Sequence, residues 1–229
     1  MSQQHPILDV RNISRVLTDE AVPVTLLKDI SFTINRGEFV SIIGPSGSGK
    51  SSLMYLLGLL DKPTTGEIYL DGINTTQASD NTLTRLRLEL IGFVFQFHFL
   101  LPEFSAMDNV MLPMRKLGKL NEKQMRERAA GLLDYFGLKD AVGRKPGQLS
   151  GGQRQRVAIA RAMANDPVFI MADEPSGNLD TKNADLVFAL FEKLAKEQGK
   201  TVVTITHDAA LANRAHRQIH IVDGALVPL

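Results

Sequence analysis

The chain contains, at positions 44–51, the segment Gly44-Pro45-Ser46-Gly47-Ser48-Gly49-Lys50-Ser51. This segment fits the phosphate-loop pattern G-x-x-x-x-G-K-S/T at every position. The apolar, β-branched residues 38–43 before it predict a buried strand, and residues 52–57 after it predict the first turns of a helix. Because the pattern requires this strand–loop–helix context, the alternative of a glycine-rich turn without a ligand is disfavoured.

The residue types of the segment suit phosphate groups. Glycines let the backbone curl so that successive N–H groups point into one concavity, and this nest and the helix N-terminus both attract anions. We expect Lys50 to reach the β- and γ-phosphates of a nucleotide and the Ser51 hydroxyl to bind Mg²⁺. Ser52, the next residue, belongs to the same predicted phosphate site.

Composition narrows the class of protein. The 229 residues, 44% hydrophobic and 22% charged, are typical of a soluble globular chain. The formal net charge of +1 gives no reason to expect nucleic acid as a partner, and the lack of cysteine excludes disulfides and cysteine metal sites. No stretch approaches the roughly 20 apolar residues of a membrane span, and residues 1–6 lack the features of a signal peptide. We expect a protein of the reducing cytosol, held by another chain wherever it works at a membrane.

Strands are expected at residues 7–10, 26–34, 38–43, 66–72, 168–172, 201–206 and 219–224. An Asp-Gly turn is predicted at Asp71-Gly72, and Asp223-Gly224 is a second hairpin signal. Their alternation with helical segments predicts an α/β fold with a mostly parallel core sheet, flanked by an antiparallel N-terminal sheet. An amphipathic helix is predicted at residues 183–198, with Leu186, Leu190 and Leu194 on one face.

We interpret the chain as one domain with two parts. Residues 1–96 and 163–229 form the predicted catalytic core with its antiparallel β subdomain. Residues 97–162 form a predicted helical subdomain, because Lys, Glu, Arg, Ala and Leu become frequent there.

Two acidic residues, Asp173 and Glu174, follow the apolar run at residues 168–172. Paired acids after such a run are common in α/β proteins, but a phosphate loop upstream makes a carboxylate at this place a Mg²⁺ position. We expect Asp173 to hold the ion and Glu174 to polarise an attacking water.

A second anion nest is predicted at Ser150-Gly151-Gly152, which precedes the helical residues 154–162. The plainer interpretation is an N-cap followed by flexible glycines. Two phosphate nests are odd in a chain that binds one nucleotide. A symmetric homodimer resolves this, because each nest can then serve the nucleotide of the other copy.

With these motifs, the whole chain resembles the nucleotide-binding subunits of ABC transporters. The residues that match the ABC signature of that family are Leu149, Ser150, Gly151, Gly152 and Gln153. The resemblance implies ATP and Mg²⁺ as ligands, a homodimer, and integral membrane permease subunits as partners. It also implies the fold of an ABC cassette: a RecA-like, mostly parallel core sheet, an N-terminal antiparallel β subdomain and a helical signature subdomain.

The resemblance also implies roles for single residues. Gln96 looks like the Q-loop glutamine, which touches Mg²⁺ and the lytic water, and Asp173 and Glu174 match the Walker B aspartate and the catalytic glutamate. Asp180 closes a Gly-Asn-Leu-Asp segment that looks like the D-loop, which crosses the dimer interface. His207 matches the switch histidine that contacts the γ-phosphate; as a lone histidine it would more often be structural.

One feature departs from the family pattern. Such cassettes usually carry an aromatic residue about 30 residues before the phosphate loop, where it stacks on adenine. The corresponding position falls near Val16 and Leu17, and no aromatic residue occurs between Val10 and Phe32. We therefore expect weak discrimination of adenine, with GTP competing better than usual.

Residues 96–110 resemble those of the LolD branch, which carries a similar Gln-Phe-His-x-Leu-Leu-Pro run. That branch powers lipoprotein release from the bacterial inner membrane and acts at its cytoplasmic face with four-helix membrane subunits. Residues 58–66 and 175–180 fit the wider group that also holds MacB-type efflux ATPases and FtsE, so these remain alternatives. Soluble DNA-repair or ribosome-associated ABC ATPases are disfavoured, since the chain lacks their coiled-coil insertions and lacks basic patches with interleaved aromatics.

An unusually apolar cluster follows Gln96: Phe97, Phe99, Leu100, Leu101 and Phe104. Clustered exposed apolar residues mark contact sites. The alternative is that they fill the core of the helical subdomain. We favour partner contact for Phe99 and Leu100, and core packing for Met107, Met111 and Met114.

Overall fold

The computed structural model describes residues 6–18 and 22–227, so residues 1–5, used in the argument about a signal peptide, lie outside the described part. Ten strands and seven α-helices occur in the described residues: β1 (Leu8–Leu17), β2 (Val24–Ile34), β3 (Phe39–Ile43), α1 (Lys50–Leu57), β4 (Thr65–Leu70), β5 (Ile73–Asn74), α2 (Asp80–Leu90), β6 (Ile91–Phe95), α3 (Ala106–Leu117), α4 (Glu122–Tyr135), α5 (Gly151–Ala162), β7 (Phe169–Asp173), α6 (Thr181–Gln198), β8 (Thr201–Ile205), α7 (Ala209–Ala212), β9 (Arg217–Val222) and β10 (Ala225–Val227).

The larger sheet has six strands in the order β10-β9-β3-β8-β7-β6, all parallel except β10, which returns antiparallel to β9. Strand β7 shows why the sequence is apolar here. Phe169 and Met171 pack into the core on one face of the sheet, and Ile170 and Ala172 pack into the core on the other. A strand buried on both faces needs an unbroken apolar run, so the predicted parallel sheet is confirmed.

The smaller sheet is antiparallel, with strand order β2-β1-β4-β5, which confirms the predicted antiparallel N-terminal sheet. Strand β1 is longer than predicted, because register irregularities after Val10 let it bend and continue pairing to Leu17. Both Asp-Gly turns form, one joining β4 to β5 and the other joining β9 to β10. Helix α2 was not predicted.

Helices α3, α4 and α5 share one apolar core with α6 and one face of the larger sheet. Met111 and Met114 are buried in this core and Met107 packs against it, as predicted. Phe99 is exposed and Leu100 is half-buried against the core. The division of the chain at residues 97 and 162 stays a prediction. No helix within the described ranges is both long and apolar enough to cross a membrane.

The predicted apolar face of α6 is right for two of its three leucines. Leu194 is buried and Leu190 packs against the core, but Leu186 is 47% exposed, whereas Phe188 and Phe191 are fully buried. The rings of this pair meet edge to face with centroids 6.2 Å apart, and Phe188 also contacts Phe39 of β3. Burying two large aromatic rings removes more apolar surface from water than burying Leu186, so the helix turns the phenylalanines inward and Leu186 outward.

Candidate nucleotide-binding site

The predicted catalytic residues follow the carboxyl ends of four neighbouring parallel strands, β3, β8, β7 and β6. Ile42, Ile205, Asp173 and Phe95 are paired in register across these strands and form one row. The phosphate loop follows β3, His207 follows β8, Asp173 ends β7 and Gln96 follows β6. The sheet topology therefore assembles residues that lie far apart in sequence, at the edge where open α/β sheets bind ligands.

The phosphate loop needs glycine at two positions because other backbone approaches closely. A Cβ at Gly44 would lie 2.0 Å from the carbonyl oxygen of Ile221 in β9. Gly49 caps α1 with φ of 99°, and a Cβ there would lie 2.7 Å from the carbonyl oxygen of Leu26 in β2. The loop is thus fixed between two strands before any ligand binds.

The polar groups of the loop fit an anion. The ammonium of Lys50 donates to the carbonyl oxygens of Gly44, at 2.9 Å, and Pro45, at 2.7 Å, which are neutral acceptors. The Ser48 hydroxyl is buried and has no hydrogen-bond partner in the part of the chain that the structure describes. A buried hydroxyl without a partner, an ammonium bound only to neutral carbonyl oxygens and the N-terminus of α1 lie together here, so these residues fit phosphate groups.

A cleft of about 710 Å³ lies over the loop. Among predicted site residues it is lined by Ser46, Gly47, Gly49, Lys50, Ser51, Ser52, Gln96, Asp173 and Glu174. Six other residues line the cleft and were not predicted from the sequence: Val24, Thr25, Leu26, Ile205, Asp223 and Gly224. The turn at Asp223-Gly224 was predicted only as a hairpin turn. It also contacts the phosphate loop, because the Gly224 N–H donates to the carbonyl oxygen of Ser48 at 3.0 Å.

Glu174 adopts a left-handed backbone conformation, with φ of 43°. Its N–H donates to the carbonyl oxygen of Ile205 at 2.9 Å, and its Oε2 lies 2.7 Å from Nδ1 of His207. Left-handed non-glycine residues are costly, and they concentrate at functional sites where the surroundings hold them. The structure therefore places His207, which does not itself line the cleft, beside Glu174, which does.

Asp173 sits at the end of β7, partly buried beside Glu174. Burial and then the like charge of Glu174 raise the pKa of Asp173, while the positive charge of Lys50 opposes this shift. In the described residues, no group of three or more His, Cys, Asp or Glu side chains is arranged to hold a metal ion. A single carboxylate with hydroxyl and amide oxygens nearby suits Mg²⁺, which usually shares its coordination with substrate phosphates.

We expect Asp173→Asn to raise the melting temperature of the nucleotide-free chain by about 1–3 °C at pH 7.5. Because the folded-state pKa is raised, the charged carboxylate costs stability above that pKa, and the cost fades as the pH falls toward the unfolded value of about 3.9. The advantage of Asn should shrink accordingly in melts at lower pH. Asp140→Asn, at an exposed carboxylate, is the control, and an equal gain there would contradict the argument.

Gln96 packs against the segment that follows Glu174. A Cβ at Gly177 would lie 2.6 Å from Nε2 of Gln96, and the Asn178 side chain donates to the Gln96 carbonyl oxygen at 3.4 Å. Asp180 does not line the cleft. Its carboxylate caps α6 by accepting from the N–H and the side chain of Asn183, both at 2.8 Å, and these bonds lower its pKa.

The signature residues form the predicted helix N-terminus. Ser150 caps α5: its hydroxyl oxygen accepts from the Gln153 N–H, and the Gln153 side-chain oxygen accepts from the Ser150 N–H in a reciprocal capping box. Leu149 is buried, and a Cβ at Gly152 would lie 2.3 Å from Oδ1 of Asn183. None of residues 149–153 lines the cleft formed by the described residues. One chain therefore keeps its two predicted phosphate nests apart.

A family model described as ABC transporter matches residues 27–177. The chain belongs to the ABC transporter family. As an ABC cassette it carries the ATP-binding domain of that family, which implies ATPase activity, and the predicted resemblance is confirmed.

Two relatives of this ABC cassette share the same sequence identity with it, 51%. The lipoprotein-releasing system ATP-binding protein LolD 1 of Chlorobium chlorochromatii is 51% identical over 219 residues, which cover 95% of this chain and 89% of the relative. The uncharacterized ABC transporter ATP-binding protein YvrO of Bacillus subtilis is 51% identical over 223 residues, covering 96% of each chain.

A solved ABC cassette confirms the fold class. It is a dimer in a post-hydrolysis state bound to ADP and Pi, with a TM-score of 0.88 and 43% identity, and the match covers 96% of this chain and 97% of that one. Its bound products are those expected of ATP hydrolysis.

Proposed function

We propose that this chain is the ATP-hydrolysing subunit of a bacterial membrane complex that releases lipoproteins from the inner membrane by mechanotransmission, and that it works at the cytoplasmic face. The observation that carries the ATPase part is the convergence of the phosphate loop, Gln96, Asp173 and Glu174 on one cleft. The similarity to a protein named LolD 1 over 95% of the chain supports the choice of cargo.

We infer that the working unit is a homodimer. The nest at Ser150 lies outside the cleft of its own chain, so a second copy is needed to bring it to the nucleotide. A two-fold axis would place each Ser150 nest over the phosphate loop of the other copy. The likeness to a dimeric cassette bound to ADP and Pi supports this arrangement.

In the proposed reaction, Lys50 leaves the carbonyl oxygens of Gly44 and Pro45 and binds the β- and γ-phosphates of ATP. Glu174, whose Oε2 lies 2.7 Å from Nδ1 of His207, orients a water molecule and accepts its proton during in-line attack on the γ-phosphate. Backbone N–H groups of the two nests stabilise the negative charge that develops. Mg²⁺, held by Ser51, Asp173 and Gln96 together with the phosphates, would offset charge on the phosphate oxygens.

A second function is kept because residues 58–66 and 175–180 fit the wider group that holds MacB-type efflux ATPases and FtsE. YvrO, a relative with the same 51% identity as LolD 1, has a name that states no cargo. The chain would then serve a MacB-type efflux system or an FtsE-like regulator of cell-wall hydrolases. Co-purification from membranes separates these functions. We expect a pair of four-helix membrane proteins with large periplasmic domains, whose bound lipoprotein identifies the cargo. Six-helix permeases would contradict the assignment, and a cell-wall hydrolase or an efflux partner would favour the second function.

We expect ATP and GTP to bind with affinities within about tenfold of each other, since aromatic stacking adds only roughly 0.5–1.5 kcal/mol and the cleft lacks it. Leu17 pairs with Val24, which lines the cleft, and no aromatic side chain lines it among the residues described. Leu17→Tyr should strengthen ATP binding by about 2- to 10-fold, while Leu17→Met should not. Titration with both nucleotides checks this, and affinities that differ by orders of magnitude would contradict it.

A further inference from the structure

Residues 97–104, here called the phenylalanine loop, project apolar side chains from the surface directly after Gln96. Phe97 is 68% exposed and Phe99 is 61% exposed. The Phe99 ring stands edge-on to Phe95, with centroids 5.4 Å apart, and Phe95 stacks on Phe93 at 5.7 Å. Phe93 and Phe95 line an apolar groove of about 450 Å³ between α2, β6, α3 and α5. The loop therefore continues an apolar surface that begins inside this groove.

The backbone of the phenylalanine loop is unusual at two consecutive residues. His98 has φ of 59° and Phe99 has φ of 46°, so both are left-handed. This conformation is disfavoured for residues with a Cβ, and for bulky aromatic residues it needs support from the surroundings. A short turn supplies part of that support, since the Phe99 N–H donates to the Phe97 carbonyl oxygen at 2.6 Å.

The remaining support comes from Arg161, in the last turn of α5. Its Nη1 donates to the carbonyl oxygen of Phe99 and its Nη2 to that of His98, both at 2.6 Å. Consecutive carbonyls point in similar directions in a left-handed turn, so one planar guanidinium can bind both. Bonds from a charged donor are the stronger kind. Arg161 thus stabilises the two residues with the disfavoured left-handed backbone, His98 and Phe99.

The second half of the loop has a separate support. The buried side chain of Asn109 accepts from the Leu101 N–H at 2.8 Å and donates to the carbonyl oxygens of Leu101 and Phe104. Loss of Arg161 should therefore loosen residues 98–100 and leave residues 101–105 ordered. This difference separates a local role of Arg161 from a general role in folding.

Arg161 and Ser150 lie at opposite ends of α5, about 16 Å apart along the helix axis. The 12 residues of α5 form one continuous helix. This helix connects the proposed phosphate nest at its N-terminus to Arg161, which binds the phenylalanine loop.

We propose that Arg161 is a positioning residue of the partner-binding surface: it fixes His98 and Phe99 so that the Phe99 ring meets the membrane subunit, and it fastens that surface to α5. The inference rests on the proposed function, because it takes the membrane subunit as the partner. Beyond the proposed function, the inference names Arg161 as the residue that sets the shape of this surface. It also names α5 as the helix that connects the surface to the nucleotide site.

The test uses two variants of the full chain, Arg161→Met and Arg161→Lys. Methionine keeps the length of the side chain and removes both bonds, whereas lysine keeps the charge but lacks the planar fork. Hydrogen exchange of the isolated chain is followed at residues 98–100, with residues 101–105 and β7 as internal controls. Binding is measured to inverted inner-membrane vesicles of the producing cell, washed free of peripheral proteins.

We expect Arg161→Met to speed exchange at residues 98–100 at least tenfold, to leave both internal controls within about twofold, and to weaken vesicle binding at least tenfold. Arg161→Lys should give values between those of Arg161→Met and the natural chain, both for exchange at residues 98–100 and for vesicle binding. If the methionine variant does not fold, the same two measurements on Arg161→Lys decide the test. Phe99→Ser should weaken vesicle binding without changing exchange in β7.

The inference would be overturned if both variants exchanged hydrogen at residues 98–100 at the rate of the unsubstituted chain. Faster exchange throughout the chain in Arg161→Lys would also overturn it. Faster local exchange with undiminished vesicle binding would also overturn it, because the ordered loop would then not be what the partner recognises. Failure of the natural chain itself to bind the vesicles would instead overturn the proposed membrane partner, and the inference would fall with it.

Discussion

Replacing Glu174 by Gln is expected to lower the rate of ATP turnover by about 100- to 10,000-fold, the usual contribution of a positioned general base. The amide keeps the size of the side chain but cannot accept a proton from water. In the structure Glu174 lines the cleft, and its carboxylate oxygen Oε2 lies 2.7 Å from Nδ1 of His207. The backbone at Glu174 is also fixed by its bond to Ile205, so the substitution should change chemistry and not conformation.

Phosphate release, followed at saturating ATP, measures this effect. Glu197→Gln is the control, since Glu197 is an exposed residue of α6 that only reaches Lys193 at 3.9 Å, and it should hydrolyse ATP at the natural rate. ATP binding by Glu174→Gln should stay within about threefold of the natural chain, because the phosphate loop is untouched. Hydrolysis at the natural rate in Glu174→Gln would remove this residue from the proposed role.

Replacing Lys50 by Met is expected to weaken ATP binding by about 100-fold, equivalent to roughly 2.8 kcal/mol. Hydrogen bonds from a charged donor to phosphate contribute roughly 1.5–3 kcal/mol, and the ammonium of Lys50 is the phosphate-loop cation that lines the cleft. The methyl group of Met also leaves the Gly44 and Pro45 carbonyl oxygens without the donor they have in the structure.

Equilibrium binding of a fluorescent ATP analogue checks the second prediction. Lys123→Met, on the exposed face of α4 far along the chain from the loop, is the matched control and should bind like the natural chain. A melting temperature within about 2 °C of the natural value would show that Lys50→Met still folds. Unchanged affinity in that folded variant would contradict the assignment of Lys50 to the phosphates.

The parallel core and its site were predictable because they depend on short stretches of sequence. The phosphate loop is contiguous, the strand before it is apolar except for Ser41, and residues 169–172 before Asp173 are an unbroken apolar run. Once these strands are parallel neighbours, residues at their carboxyl ends must meet at one edge of the sheet. The Asp-Gly turns are equally local and were also predicted.

The face of α6 and the helix α2 were not predictable in the same way. On α6 a face that includes Leu186 and a face that includes Phe188 and Phe191 both fit helical spacing, and the contact of Phe188 with Phe39 favours the second. That contact joins residues about 150 positions apart in sequence, which no local pattern reports. Helix α2 buries only Leu83 and Leu86, so its apolar periodicity is too weak to stand out.

Arg161 shows the same limit at a functional surface. The sequence places an arginine in a helix and a run of phenylalanines elsewhere, and only the fold brings its guanidinium to the carbonyl oxygens of His98 and Phe99. The left-handed conformation of these residues is equally invisible, because neither is a glycine or an asparagine. Residues of β2 in the cleft were missed for this reason too.

The central claim is that two copies of the chain enclose one ATP at each shared site. Sedimentation of Glu174→Gln with Mg²⁺ and either ATP or ADP tests it most directly, because this variant should bind ATP without cleaving it. We predict a species of twice the 25.2 kDa chain mass with ATP and the single chain with ADP. A chain that stays single at saturating ATP, alone and with its membrane subunits supplied, would contradict the account.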